Sequence, residues 1–165
     1  RATLDLIFPA TCASCEAELD PDDALTREIR ICRACYDELA LLERPLCRRC
    51  GGPLPKSATT PREGCARCEG PKLWFDETCA AGLYEGLMRE LLLRMKQVHG
   101  VGISLAMGSL LWHSRGDQLA ALDIDVVVPI PLHWRRRVVH RTNSAAVLAE
   151  VLAGHLNAPL SAGLL

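Results

Sequence analysis

From Gly82 onward the apolar positions fall into regular periods, and each period predicts an element. In YEGLMRELLLRMKQVHG, Leu87, Leu91, Met95 and Val98 share one helical stripe. Arg89, Glu90, Arg94 and Lys96 lie off it or at its border, so the spacing predicts an amphipathic helix ending near Gly100. ISLAMGSLLWH reads as a second apolar helix, and SRGDQLAALD returns the chain toward the next element. Residues 124–130 form a continuous run of β-branched and apolar residues, the pattern of a buried parallel strand. Asn143 to Leu156 has a helical period again, with Thr142, Asn143 or Ser144 available to cap it. Strand, loop and helix followed by NAPL make half of a βαβ unit. Before Gly82 the one helical stretch is YDELALLERPL, which reads as a short helix stopped by Pro45.

Eight of the nine cysteines fall in four CxxC pairs: Cys12 and Cys15, Cys32 and Cys35, Cys47 and Cys50, Cys65 and Cys68. They form two quartets, C-x2-C-x16-C-x2-C and C-x2-C-x14-C-x2-C, that begin 35 residues apart and look like a repeated unit. A two-residue gap lets one tight turn aim two sulfurs at a single point, and a second turn across a hairpin completes a tetrahedron around Zn²⁺. Two structural zinc ions are the expectation, over disulfides, thioredoxin-like redox pairs and rubredoxin-type iron. A closed four-sulfur site leaves no coordination position for catalysis. Zinc with four thiolates carries a formal −2, and Arg33, Arg48, Arg49 and Arg67 sit inside the CxxC turns as candidate screening charges. Gly51 and Gly52 offer a positive backbone angle after Cys50, whereas Glu16 and Tyr36 follow Cys15 and Cys35 in the first quartet. Cys79, in TCAAGLY, reads as a buried, inert thiol in a strand-like stretch.

Charge and composition narrow the classes. The formal net charge is −1, and filling both quartets brings it to about −5. Seven aromatics, Phe8, Tyr36, Trp74, Phe75, Tyr84, Trp112 and Trp134, are too scattered for a base-stacking platform, so direct nucleic-acid binding is disfavoured. No apolar run approaches the ~20 residues of a membrane span, and RATLDLIFPA lacks the features of a secretory signal; a cytoplasmic protein is expected.

The loop LHWRRRVVHR follows the predicted strand and leads into a helix N-terminus, where open α/β sheets bind ligands. Arg135, Arg136, Arg137, His140 and Arg141 there make either a phosphate site or a solvated basic loop, and charge alone does not choose between them.

These pieces together resemble the ComF family: DLIFPATCASC, CRRCGGPL, AGLYEGLMRELLLRMK, then DVVVPIPLHWRRR with TNSAAVLA, in that order. The resemblance implies a small zinc-ribbon module with two four-cysteine sites, residues 1–72, followed by an α/β part, residues 73–165. That part would be the N-terminal portion of a type I phosphoribosyltransferase-like domain with a parallel sheet. It implies phosphoribosyl pyrophosphate, with Mg²⁺, or a similar phosphate ligand held by Arg135, Arg136, Arg137, His140, Arg141 and Asn143. Where that family commonly has RGxN, this chain has His140, Arg141, Thr142 and Asn143, an arginine replacing the glycine. The acidic, threonine- and glycine-rich loop of the family does not occur before Leu165, so a fragment inactive on its own is expected. The resemblance implies equally an alternative function, a non-catalytic adaptor with a protein partner in the competence DNA-uptake apparatus.

Overall fold

The computed structural model describes residues 9–57, 64–70, 72–131 and 143–162. Five α-helices occur among them: α1 (Ala24–Ile29), α2 (Arg33–Asp37), α3 (Gly86–Arg94), α4 (Val101–Ala120) and α5 (Ser144–Leu156), with a 3-10 turn at Ala66–Cys68. Extended segments pair through isolated bridges, antiparallel at Thr11 and Glu18, Leu46 and Pro53, and Leu41 and Gly82, and parallel at Val127 and Leu160. No multi-residue strand and no sheet form among the described residues. None of the helices there is long and apolar enough to cross a membrane.

Two of the helices begin where a side chain satisfies their free amides. Asp23 accepts from Leu25 N at 3.1 Å and Thr26 N at 3.3 Å, starting α1, and Arg30 ends it in the left-handed region. Asn143 accepts from Ala145 N at 3.1 Å, making it the cap of α5 among the three candidates.

One core runs from the first cysteine quartet into the helices. Cys12, Leu19, Ile29, Ile31, Cys35 and Leu39 pack with Met88, Leu91 and Met95 of α3 and its C-terminal turn, and with Ala106, Met107 and Leu110 of α4. Leu148 of α5 leans on the same cluster. Helices α4 and α5 meet closely at Gly108, where a Cβ would lie 3.0 Å from that of Val151. One turn further along both, Trp112 stacks on His155 with ring centroids 4.6 Å apart. The register advances together on the two helices, so they run parallel. A chain that leaves α4 and enters α5 parallel to it must cross back between them, and residues 124–131 make that crossing.

Several expectations change. The helix anticipated from YDELALLERPL ends at Asp37; Leu41 instead bridges Gly82, and Leu42 N donates to Ala81 O at 3.0 Å. Leucine runs satisfy a strand-like crossing as well as a helix, and here the partner segment 80–83 decides. The stripe of α3 is Met88, Leu91 and Met95, with Val98 59% exposed, because the helix stops at Arg94 and the chain turns before α4. The second apolar helix and the segment expected to return the chain are one 20-residue helix, α4. Residues 124–130 are not a buried strand. Ile130 is 77% exposed, and only Val127 pairs, its N donating to Pro159 O and its O accepting from Ser161 N. A run of this kind is buried only when strands flank it on both sides, and one bridge cannot cover it. Cys79 is partly rather than fully buried, and burial followed by the charge of Glu77 raises its thiol pKa.

Arg115 ties the helices to the crossing segments. It is 5% exposed, and it donates from Nε to Ala80 O at 2.7 Å, from Nη2 to Leu42 O at 2.6 Å and from Nη1 to Ser114 O at 2.8 Å. A planar guanidinium reaches three carbonyls in one geometry, which a lysine ammonium cannot reproduce. Arg115→Ala is expected to cost about 2–4 kcal/mol by stranding the Leu42 and Ala80 carbonyls, with Arg115→Lys recovering less than half. Urea unfolding of the zinc-loaded protein measures both.

Candidate metal centres

Each quartet is assembled from two different local devices. The first CxxC of each is a tight turn. Cys12 N donates to Ala17 O at 2.7 Å and Glu16 N to Cys12 O at 2.9 Å; Cys47 N donates to Gly52 O and Gly51 N to Cys47 O, both at 2.8 Å. The second CxxC of each opens a helical turn, with Cys32 immediately before α2 and Cys65 immediately before the 3-10 turn. The internal repeat expected from spacing is thus matched bond for bond in the first turn of each unit.

Both turns demand a left-handed residue after the second cysteine. Gly51 supplies it at φ +72°, and its pseudo-equivalent Glu16 adopts φ +65° despite its side chain. Only Gly51 of the paired glycines has positive φ; Gly52 instead gives room. A Cβ on Gly52 would lie 2.9 Å from Nη1 of Arg67 and 3.4 Å from Sγ of Cys50. Gly64, at φ +106°, leaves space for a ligand, since a Cβ there would sit 2.8 Å from Sγ of Cys68.

Sulfur geometry fits a tetrahedral ion. The ligand atoms of Cys12, Cys15, Cys32 and Cys35 all lie within 4.8 Å of one another, as do those of Cys47, Cys50, Cys65 and Cys68. Within them Cys15 and Cys32 approach to 3.7 Å, Cys50 and Cys65 to 3.7 Å, and Cys47 and Cys68 to 3.9 Å. Four sulfurs each ~2.3 Å from one Zn²⁺ stand about 3.8 Å apart at the tetrahedral angle. Disulfides would need about 2.05 Å, and all nine cysteines are free. The two four-cysteine sites are therefore consistent with two structural zinc ions.

Electrostatics around the thiols show what the metal must displace. Burial pushes the Cys12 thiol up, but the backbone amides of Cys15, Cys32 and Ser14 outweigh it and bring it down to about 7. Burial opposes the amides of Cys50 and Arg49 in the same way at Cys47, which falls to about 6. Burial raises Cys35 to about 12 and Cys68 to about 11, reinforced by the neighbouring cysteines. At Cys32 the Cys35 amide lowers the thiol, but burial and the sulfurs of Cys15 and Cys12 leave it raised. Each metal-free quartet thus holds one easily ionised thiol, Cys12 or Cys47, beside a raised one that keeps its proton, Cys35 or Cys68.

The expected screening arginines are mostly engaged elsewhere. Arg48 pairs with Glu77, Arg33 lies 3.6 Å from Asp23, and Arg49 donates to Leu73 O at 3.1 Å. Arg67, beside Gly52 and Cys50, is placed to offset thiolate charge. Sequence inspection missed Arg94, whose Nη1 donates to Ser14 O at 2.9 Å inside the first turn from 80 residues away. Nothing local signals such a contact. Of the candidate phosphate residues, Arg135, Arg136, Arg137, His140 and Arg141 lie outside the described residues. Asn143 donates Nδ2 to Ile130 O at 3.3 Å while capping α5.

The cysteine centres define a zinc-binding ribbon module. Residues 3–71 match the family described as the double zinc ribbon domain, a span that includes both quartets. No curated protein and no solved structure matches the chain.

Three outcomes are expected. Cys12→Ser should reduce bound zinc from two ions to one by native mass spectrometry. Glu16→Gly should stabilise the first turn by about 1 kcal/mol in zinc-loaded denaturation, by removing left-handed strain. Because Cys32 and Cys35 carry protons at neutral pH that the metal must expel, zinc affinity at the first site should fall about 100-fold or more per unit drop in pH. Chelator competition between pH 7.5 and 6.5 reads this slope.

Proposed function

We propose that the chain is a ComF-like, phosphoribosyltransferase-related protein. It binds phosphoribosyl pyrophosphate with Mg²⁺, or a similar phosphate ligand, at the loop after residues 124–130, and the ribbons serve as structural zinc sites. One observation carries the reading: a single side chain joins the two ends of that loop. Asn143 caps α5 and donates to Ile130 O, so the loop with its four arginines and two histidines leaves and returns at one place. That place is the N-terminus of a 13-residue helix, whose dipole and first amides favour an anion.

Further support comes from connectivity. The parallel bridge between Val127 and Leu160 flanks α5, giving the extended–helix–extended order of a βαβ unit, and α4 runs parallel to α5 beside it. In such units the ligand lies beyond the carboxyl end of the first extended segment. Here that end is Ile130, and its exposure leaves it accessible.

Calorimetric titration with pyrophosphate, and with phosphoribosyl pyrophosphate plus Mg²⁺, tests the proposal. Arg136→Ala and Arg137→Ala should each weaken binding about 10-fold or more, as expected for loss of a charge-assisted hydrogen bond. Weak binding unchanged in both variants would sink it. Absence of binding by a folded, zinc-loaded protein would favour the non-catalytic adaptor in DNA uptake instead.

A further inference from the structure

The two ribbons carry opposite charge. Residues 9–43 contain nine acidic and three basic residues, a net −6, whereas residues 44–78, through the segment clamped to the second ribbon, contain seven basic and four acidic ones, a net +3. A tetrathiolate zinc centre adds about −2 to each, so the first stays strongly acidic and the second falls to about +1.

The basic ribbon also presents an aromatic knob. Trp74 is 83% exposed and Phe75 46%, and Nζ of Lys72 sits 4.1 Å from the Trp74 ring centroid. The backbone on either side is clamped. Arg49 holds Leu73 O; Arg48 pairs with Glu77; Thr78 binds the carbonyls of Arg48 and Arg49 from N and Oγ1, both at 2.8 Å. A backbone clamped on both sides of the indole has already lost the main-chain entropy that docking would cost. Pre-organised, exposed aromatics with adjacent cations are the residues that dominate interfaces.

An open hollow lies on the acidic side. Between α1 and α4 a cavity of about 240 Å³ is lined by Glu28, Trp112, His113, Gly116, Asp117 and Ala120. Its rim is acidic through Glu28 and Asp117. Trp112 offers its wall a ring backed by the stacked His155. An indole with an ammonium over its face complements this open hollow in charge, cation to carboxylate.

We infer that the occupant is a second copy of this chain, joined head to tail: Lys72 and Trp74 of one copy enter the α1–α4 cavity of the next. Charge complementarity favours a second copy over an unrelated partner, since knob and hole are both present on one chain with opposite signs. The contact is heterologous, so each dimer keeps one free knob and one free hole and can extend. A patch of this size gives weak association that falls with salt.

Sedimentation of the zinc-loaded protein tests this. The average mass should climb above the 18.0 kDa of the monomer as concentration rises, and should return toward it in high salt. Trp74→Ala, and separately Glu28→Arg with Asp117→Arg, should each weaken self-association about 10-fold or more while leaving two zinc ions bound. Mixing the two variants restores one intact knob and one intact hole, and should yield a dimer that grows no further. Monomer at every concentration, an unaffected Trp74→Ala variant, or a mixture that stays monomeric overturns the proposal. So does a Trp74-dependent complex with single-stranded DNA in a protein that does not self-associate.

Discussion

Four sulfurs held within 4.8 Å of one another cannot all ionise unaided, and the rest of the ribbon region depends on how that conflict is resolved. Without metal, burial first and the neighbouring sulfurs second raise the thiols of Cys35 and Cys68, the same two causes leave Cys32 raised against the Cys35 amide, and at Cys12 and Cys47 the amides overcome burial and favour a negative sulfur. A divalent ion turns mutual repulsion into shared attraction. That substitution matters because the described part of residues 9–70 offers little else: two short helices, one 3-10 turn and two of the isolated bridges.

The two ribbons do not depend on metal equally. The first contributes Leu19, Ile29, Ile31 and Leu39 to the common core, alongside Cys12 and Cys35. Burying several such side chains supplies roughly 1.5–3 kcal/mol each, offset by ordering entropy. Among the described residues of the second ribbon, Cys47 is the one fully buried apolar side chain, and it lies outside the main cluster. Its shape rests on the ligands and on the Arg48 and Arg49 clamps to residues 73–78. Metal is therefore closer to the whole fold of the second ribbon than of the first.

What could be read from the chain follows the range of the interactions. Ligand spacing is local, so both quartets were legible, as were the helix Ser144–Leu156 and a cap for it among Thr142, Asn143 and Ser144, of which the structure selects Asn143. Burial is not local. The run at 124–130 has the composition of an interior strand, yet its exposure is set by neighbours that no residue within it specifies. The segment SRGDQLAALD, read as returning the chain, instead continues α4 to Ala120: Ser114 bonds back to Leu110 O, and Arg115 is fixed by carbonyls more than thirty residues away. The Glu16 strain was half legible: the missing glycine showed in the sequence, but only the backbone shows that glutamate takes the same left-handed angle.

Long-range polar contacts also link the first metal centre to the start of α5. Arg94, the last residue of α3, holds the Ser14 carbonyl between the ligands Cys12 and Cys15. The next residue, Met95, is buried in the common core, and its carbonyl accepts from Ser144 Oγ at 2.6 Å, in the first turn of α5. Asn143, one residue earlier, grips Ile130. Metal turn, helix end, helix start and loop base are thus successive members of one chain of contacts, each made by a side chain to a backbone carbonyl. Backbone acceptors fix position more tightly than pairs of flexible surface charges, which lose rotamer freedom to little net gain. The first zinc ribbon consequently reaches the start of α5 in two ways, through this line of side-chain-to-carbonyl bonds and through the shared apolar core on which Leu148 of α5 leans.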